Sequence, residues 1–260
     1  MTMDNIIYNH HSNWAEIVLN RPKVYNALNE GLLRELLEAI QEAEQDQDVR
    51  CIVLTGNGTA FSSGQDLKAV GTDLDKIPFG EIIRKQYNPL ILKMRGCPKP
   101  IICKLNGLAA GAGCSLALAA DLVIASREAY LAEMFSHIGL VMDGGSNYFL
   151  LKKIGYQRAY EIATTGRKVF ADEAEQIGLI TKSVEALDLD DAVQQYIDVY
   201  INASSNAVGL IKEMLNSADK MSLEDVLEME AVFQQKAGEG KDFKEGVMAF
   251  LEKRKPIFNK

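Results

Sequence analysis

Polar and apolar positions alternate through residues 5–20, where β-branched side chains recur and a polar break falls at 10–13. This pattern predicts two strands joined by a turn. Leu32, Leu33, Leu36, Leu37 and Ile40 then share one helical face, and Asn29 is placed to cap that helix. Short apolar runs follow at 51–54, 101–105, 122–125 and near 180–184. The first ends on Thr55-Gly56 and the second follows the breaker series Pro98-Lys99-Pro100, so each reads as a strand. Helical patterns occupy 79–94, 114–120, 156–164 and 171–176. Strands alternating with helices predict an α/β class. From about Leu187 the pattern is helical only, over 188–203, 206–217, 222–236 and 242–255. We therefore divide the chain into an α/β core, 1–186, and a helical C-terminal region, 187–260, suited to covering the core or contacting another subunit.

Composition narrows the function classes. The 260 residues carry a net charge of −8, and no basic stripe is present, which argues against a nucleic-acid partner. A few local Lys residues can still hold a phosphorylated ligand on an acidic protein. Cys51, Cys97, Cys103 and Cys114 lie in apolar or Gly-rich surroundings without C-x-x-C spacing, and we expect free, buried thiols in a reducing compartment. Only three His exist, none spaced with Cys as a ligand pair, so no metal site is expected. The N-terminus has no signal-peptide pattern and no apolar run is long enough to span a bilayer. We expect a cytoplasmic protein with no membrane partner.

Two segments are chemically prepared. One is Ala60-Phe61-Ser62-Ser63-Gly64-Gln65-Asp66-Leu67-Lys68, after the strand at 51–54. The other runs from Asn106 to Ala117 and contains Ala110-Gly111-Ala112-Gly113-Cys114-Ser115, after the strand at 101–105. Both read as small-residue loops leading from a strand into a helix, where backbone N–H groups lack helical acceptors. Gly and Ala let a ligand approach that backbone, and one N–H from each loop can converge on a developing oxyanion. Gly111-x-Gly113 lacks the third glycine of a dinucleotide fingerprint, and either loop read alone is also consistent with a tight turn.

With Leu19-Asn20-Arg21-Pro22-Lys23-Val24-Tyr25-Asn26-Ala27-Leu28 and a C-terminal Phe250-Leu251-Glu252-Lys253-Arg254-Lys255, these segments resemble the signature stretches of the crotonase (enoyl-CoA hydratase/isomerase) superfamily, in order and along the whole chain. The resemblance implies a spiral of β-β-α turns followed by helices, assembled as a homotrimer or a dimer of trimers. It implies an acyl-CoA thioester substrate and no cofactor beyond the substrate's own coenzyme A. By position it makes the backbone N–H groups of Gln65 and Ala112 the oxyanion-hole donors. It matches Lys23, Val24, Ser62, Gly64, Gln65, Asp66 and Leu67 to segments that hold CoA. Phe250 and Lys253 match a C-terminal CoA contact, often made on a neighbouring subunit. Read without the resemblance, Lys23 is a solvated loop residue, Asp66 supports its own loop, and Lys253 ends a solvated helix.

Hydratases of this family use two glutamates, and this chain departs at both positions. The first falls on Ser115 and the second on Phe135. Glu133 lies two residues from the second position, and we do not carry the glutamate role to it. Gly111, Ser115 and Phe135 are assigned to the acyl pocket, with residues 71–89 as part of its wall. Asp143, in Val141-Met142-Asp143-Gly144-Gly145, reads as a turn residue by itself. The resemblance matches it to the catalytic Asp of the family's ring-opening isomerases of phenylacetate degradation. We expect an isomerase in which Asp143 moves a proton, its pKa raised by the apolar flank Leu140-Val141-Met142. A hydratase, an aryl-CoA dehalogenase, a synthase and a non-catalytic acyl-CoA-binding subunit remain the alternatives. His137 is the only His near the site for a dehalogenase base, and its structural reading is preferred.

Overall fold

The computed structural model describes residues 3–69 and 74–259. Strands β1 (Ile6–His10) and β2 (Trp14–Leu19) form an antiparallel hairpin with Ile6 opposite Leu19. Helix α1 (Glu30–Gln45) follows, and the Asn29 side chain accepts the Leu32 N–H at 2.9 Å, as its position predicted. Leu32, Leu33, Leu36 and Ile40 are buried. Leu37, predicted on the same face, is only partly buried. The buried Glu35 accepts both the backbone and the side-chain N–H of Asn5, which ties α1 to the start of the hairpin.

The next three units share one plan. Strands β3 (Cys51–Gly56) and β4 (Ala60–Ser62) precede α2 (Phe79–Ile82) and α3 (Asn88–Gly96). Strands β5 (Ile101–Leu105) and β6 (Leu108–Ala110) precede α4 (Ala112–Leu118). Strands β7 (Leu122–Ser126) and β8 (Tyr130–Ala132) precede α5 (Ser146–Thr165). The long strand of each unit joins one sheet and the short strand a second, so each turn adds one parallel neighbour to both. The first sheet runs β1-β2-β3-β5-β7-β10 and the second β4-β6-β8-β9. Strand β9 (Val169–Phe170) pairs antiparallel with β8, helix α6 (Ala171–Gln176) follows it, and β10 (Lys182–Val184) closes the first sheet beside β7. This is the expected spiral of β-β-α turns.

Both faces of the first sheet are apolar, which explains the uninterrupted runs in the sequence. Ile52, Leu54, Cys103, Leu105, Val123 and Ala125 face the main core, with α1 and α4. Cys51, Val53, Ile102 and Ile124 alternate to the other face, covered by Leu189, Ala192, Val193 and Ile197 of α7 (Leu189–Asn202). All four cysteines are free and buried. Helices α8 (Ser205–Ala218), α9 (Leu223–Gly238) and α10 (Lys241–Leu251) complete the chain. No helix among the described residues is long and apolar enough to cross a membrane.

Four elements depart from the sequence reading. The short strands of the second sheet were not located by the residue pattern, because strands of two or three residues hold too little of a two-residue period to register. The segment after β4 does not enter a helix directly. It makes a turn at 67–69 and, among the described residues, next coils as a 3₁₀ turn at Leu74–Lys76. The expected helix over 79–94 is interrupted by a π-helical stretch, Ile83–Tyr87, between α2 and α3. Helix α5 starts ten residues before the predicted 156 and is broken at Gly155 (φ 73°, ψ 169°).

The segment 19–28 is a clamp rather than a plain loop. Asn26 is fully buried, its Oδ1 accepts the Arg21 N–H, and its Nδ2 donates to the carbonyls of Asn57 and Ala60. Asn26→Ala leaves the Arg21 N–H and the Asn57 carbonyl without this partner and the Ala60 carbonyl with only the long 3.4 Å contact from Asn106. At about 1–3 kcal/mol for each buried group left unsatisfied, we expect a loss of at least about 2 kcal/mol, read as a lower urea midpoint with unchanged m.

Candidate active site

The prepared segments meet at the ends of two parallel strands of the second sheet. Strand β4 delivers Ser63, Gly64 and Gln65, and β6 delivers Gly111 and Ala112. The Leu28 N–H donates to the Gly64 carbonyl at 2.7 Å and the Asp66 N–H to the Leu28 carbonyl at 2.8 Å. These bonds pin the chain on either side of Gln65 and leave the Gln65 N–H without an acceptor among the described residues. Ala112 is the first residue of α4, so its N–H has no helical acceptor, and it finds no other. Gly64, at φ +86°, allows the two loops to approach. A Cβ there would lie 2.5 Å from the Ala110 carbonyl oxygen and 3.4 Å from the Ala112 nitrogen. A side chain at this position would wedge the donors apart.

Both segments open onto a cavity of about 210 Å³. Its wall includes Phe79, Ile82, Ile83, Tyr87, Phe135 and Leu140, and Asp143 lies on it. The predicted wall at 71–89 therefore contributes through Phe79 to Tyr87, while 70–73 fall outside the described residues. The Phe135 ring stands 3.8 Å from where a Gly111 Cβ would be, and both residues line the cavity. The Asp143 Oδ1 is buried and has no hydrogen-bond partner, and burial raises its carboxyl to about 6. The apolar flank contributes unevenly, since Leu140 and Met142 pack on the core while Val141 is exposed. Wider hollows lie along the C-terminal helices, one of about 680 Å³ lined by Phe250. Among the described residues, none of them combines free backbone donors with an unpaired buried carboxylate oxygen.

Several expected site residues take other positions. Ser115 does not line the cavity. It is buried, and its Oγ lies 2.9 Å from the Asp143 carbonyl and 2.8 Å from the Ser146 Oγ, so it supports the Asp143 turn from behind. Ser62 is also buried, donating to the Asn26 carbonyl and accepting the Gly64 N–H, and offers no free surface to CoA. Asp66 is engaged by Arg21 at 2.9 Å and accepts the Lys68 N–H, the loop-supporting role. Lys23, Val24 and Leu67 are exposed near the cavity rim, where the Ser63 N–H donates to the Tyr25 carbonyl. Phe250 and Lys253 are exposed, and Phe250 lines the separate cleft between C-terminal helices rather than the cavity of its own chain. His137 reaches the cavity wall, but its Nε2 lies 2.8 Å from the Thr165 carbonyl oxygen.

Tyr87 falls in the wall segment expected from the sequence but was given no role of its own there. The π-helical turn carries it into the cavity, where its hydroxyl bonds the Gln65 side chain. Burial, and then the Asp143 charge, raise its phenol far above the usual range, so it stays a donor. An aromatic residue in a helical run carries no sign of this, because the extra residue of a π turn is invisible to period counting. Glu133 was seen in the sequence and given no role. It is fully buried, and burial, with a smaller contribution from Asp143, raises its carboxyl to about 7.

The raised carboxyls have a consequence for stability. Asp143 and Glu133 bind protons more tightly folded than unfolded, so their contribution is full below pH about 4 and is lost as pH rises through 6 and 7. We expect Asp143→Asn to be more stable than the parent at pH 8 by on the order of 2 kcal/mol, and no more stable at pH 4. Chemical denaturation at the two pH values measures this.

Residues 9–260 match the family model described as enoyl-CoA hydratase/isomerase. The chain is 38% identical to the 1,2-epoxyphenylacetyl-CoA isomerase of Escherichia coli, over 93% of each chain. It is 32% identical to the trans-2-decenoyl-[acyl-carrier-protein] isomerase of Streptococcus mutans, over 99% of each. The crystal structure of an enoyl-CoA hydratase from Bacillus anthracis superposes with a TM-score of 0.92 at 30% identity, over 98% of this chain and 99% of that one.

Proposed function

The chain belongs to the enoyl-CoA hydratase/isomerase family and is an enzyme of that family, and from that premise we propose that it isomerises an unsaturated or strained-ring acyl-CoA by proton transfer through Asp143. The carrying observation is one carboxyl with a buried, unpaired oxygen, in the same cavity as the segments bearing two unused backbone N–H groups.

The thioester oxygen sits between the N–H groups of Gln65 and Ala112. Ionised Asp143 takes a proton from C2, and the C–H electron pair moves into the thioester as an enolate held by those two donors. Protonated Asp143 then returns a proton at C4, and the double bond passes from C3–C4 to C2–C3. A carboxyl raised to about 6 is mostly ionised at neutral pH yet recovers a proton readily, which suits a group acting as base and then acid. No external cofactor is consumed. Phe79, Tyr87 and Phe135 make the acyl end aromatic in character, which suits an arylacetyl-derived or apolar acyl group. Lys23, Val24 and Leu67 hold the CoA portion at the rim. Phe250 and Lys253 serve a neighbouring copy's CoA in a homotrimer or a dimer of trimers.

Hydration is the less favoured reaction. The positions of the two hydratase glutamates carry Ser115 and Phe135, and the Glu133 carboxyl is sealed behind the wall. The test is proton exchange at C2 and C4 of straight-chain and arylacetyl-derived 3-enoyl-CoA thioesters in D₂O. Exchange with double-bond migration is the expected result. Binding without exchange in any substrate would overturn the isomerase reading and favour a non-catalytic binder or another reaction.

A further inference from the structure

The buried Glu133 is a carboxyl behind the site that the proposed reaction does not use. It opens a file of four oxygens ending on the backbone of Asp143. The Glu133 Oε1 lies 2.7 Å from the Ser146 Oγ, that Oγ lies 2.8 Å from the Ser115 Oγ, and the Ser115 Oγ lies 2.9 Å from the Asp143 carbonyl oxygen. All three side chains are buried.

Three contacts of hydrogen-bond length need three protons, one in each. The two serine hydroxyls supply two, and the Asp143 carbonyl supplies none. An ionised Glu133 would leave one pair of oxygens facing each other below 3 Å with no proton between them. A neutral Glu133 satisfies every contact in one direction: carboxyl to Ser146, Ser146 to Ser115, Ser115 to the carbonyl. The Gly111 carbonyl, 3.5 Å from the Ser115 Oγ, is too distant to compete for that proton. The surroundings point the same way. The Glu133 Oε2 is buried without a hydrogen-bond partner, a modest penalty for a carbonyl oxygen and a severe one for a carboxylate. The groups facing the carboxyl are the Cys114 thiol from α4, Ser146 from α5 and the Asp143 carboxyl. No ion pair to a cation forms there among the described residues, and His137, on the following turn, is directed to Thr165.

We infer that Glu133 is held as a neutral carboxylic acid whose proton, relayed through Ser146 and Ser115, fixes the backbone of Asp143 and makes Glu133 the positioning residue of the proposed acid–base. The functional part rests on the role proposed above for Asp143. The Asp143 carbonyl also accepts the Ser146 N–H at 3.1 Å, so the relay adds a second anchor to the turn that aims the carboxyl. Ionising Glu133 turns the Ser146 proton to the carboxylate, and the single Ser115 proton then fills only one of its two contacts, to Ser146 or to the Asp143 carbonyl. The hydroxyl anchor on the Asp143 carbonyl is weakened in consequence. With burial raising Glu133 to about 7, the kcat–pH profile is bell-shaped, its acid limb set by Asp143 and its alkaline limb by Glu133.

The first test needs no turnover. Infrared difference spectra of the intact protein near pH 6 are recorded in the Asp143→Asn background, where Asp143 contributes no carboxylic-acid band. A carboxylic C=O band that shifts in D₂O and disappears in the Glu133→Gln double variant is expected. Absence of the band, or its persistence in that variant, would overturn the inference. The second test is kinetic. Glu133→Ala and Ser146→Ala lower kcat about tenfold with little change in KM, because the carboxyl is misaimed while the binding surface stays. Glu133→Gln keeps an N–H donor toward Ser146, rescues most of that loss and removes the alkaline limb. An alkaline limb unchanged in Glu133→Gln would overturn the relay. If Asp143→Asn retains isomerase activity, the reading of Asp143 fails separately, and the infrared result still decides the state of Glu133.

Discussion

Asp143→Asn lowers double-bond migration by about 100- to 10,000-fold while leaving thioester binding nearly intact. The substitution keeps the size of the side chain and the turn that carries it, because the Asp143 carbonyl bonds to Ser115 and Ser146 are made by the backbone. What it removes is a group able to take and return a proton. The effect falls on kcat and on kcat/KM alike, the pattern of an interaction made only in the transition state. Loss of C2 exchange in D₂O would place the defect at the first proton transfer. Full activity in the variant would transfer the acid–base role elsewhere, and among the described residues no other carboxylate lines the cavity.

Ala112→Pro lowers kcat by about 100- to 1,000-fold, the usual effect of removing one oxyanion donor. A backbone donor cannot be deleted by trimming a side chain, but proline removes the N–H itself. Position 112 tolerates it better than most, because it opens α4 and has no intrahelical bond to lose. The preceding residue is Gly111, at φ 50° and ψ −125°, a conformation that glycine alone takes easily and that an added ring does not need to change. Circular dichroism and the thermal midpoint check that the fold survives. Affinity for a saturated acyl-CoA separates binding from catalysis, since the ground-state thioester oxygen carries little charge. An unaltered kcat would remove the Ala112 N–H from the oxyanion site.

The parts of the site that could be read in advance were those in which one short segment carries the chemistry. Gly64-Gln65 and Gly111-Ala112 stand out because glycine and alanine beside a strand end mark exposed backbone. Asp143 stands out because it interrupts a Gly-rich turn. Residues whose work depends on a partner far along the chain did not stand out. Asn26 reaches Asn57 and Ala60, Tyr87 reaches Gln65, and Glu133 reaches Asp143 only through serines on two helices. Ser115 was placed in the pocket by its position in a motif, but its side chain turns inward, because a buried hydroxyl takes whichever partners the packing offers.

Period and punctuation in the sequence were enough to determine the α/β class, the long strands of the first sheet, the capped helix α1 and the run of C-terminal helices. Those are local properties: a repeat of two or of 3.6 residues shows itself within ten or so positions. Only the tertiary structure decided that strands of two or three residues build a second sheet, that the sheet brings Gln65 and Ala112 to one cavity, and that Asp143 faces this cavity while Glu133 is sealed behind it. Burial and hydrogen-bond partnership are set by every element packed around a group, so one carboxyl keeps an unpaired oxygen on the cavity while the other is closed in among serines.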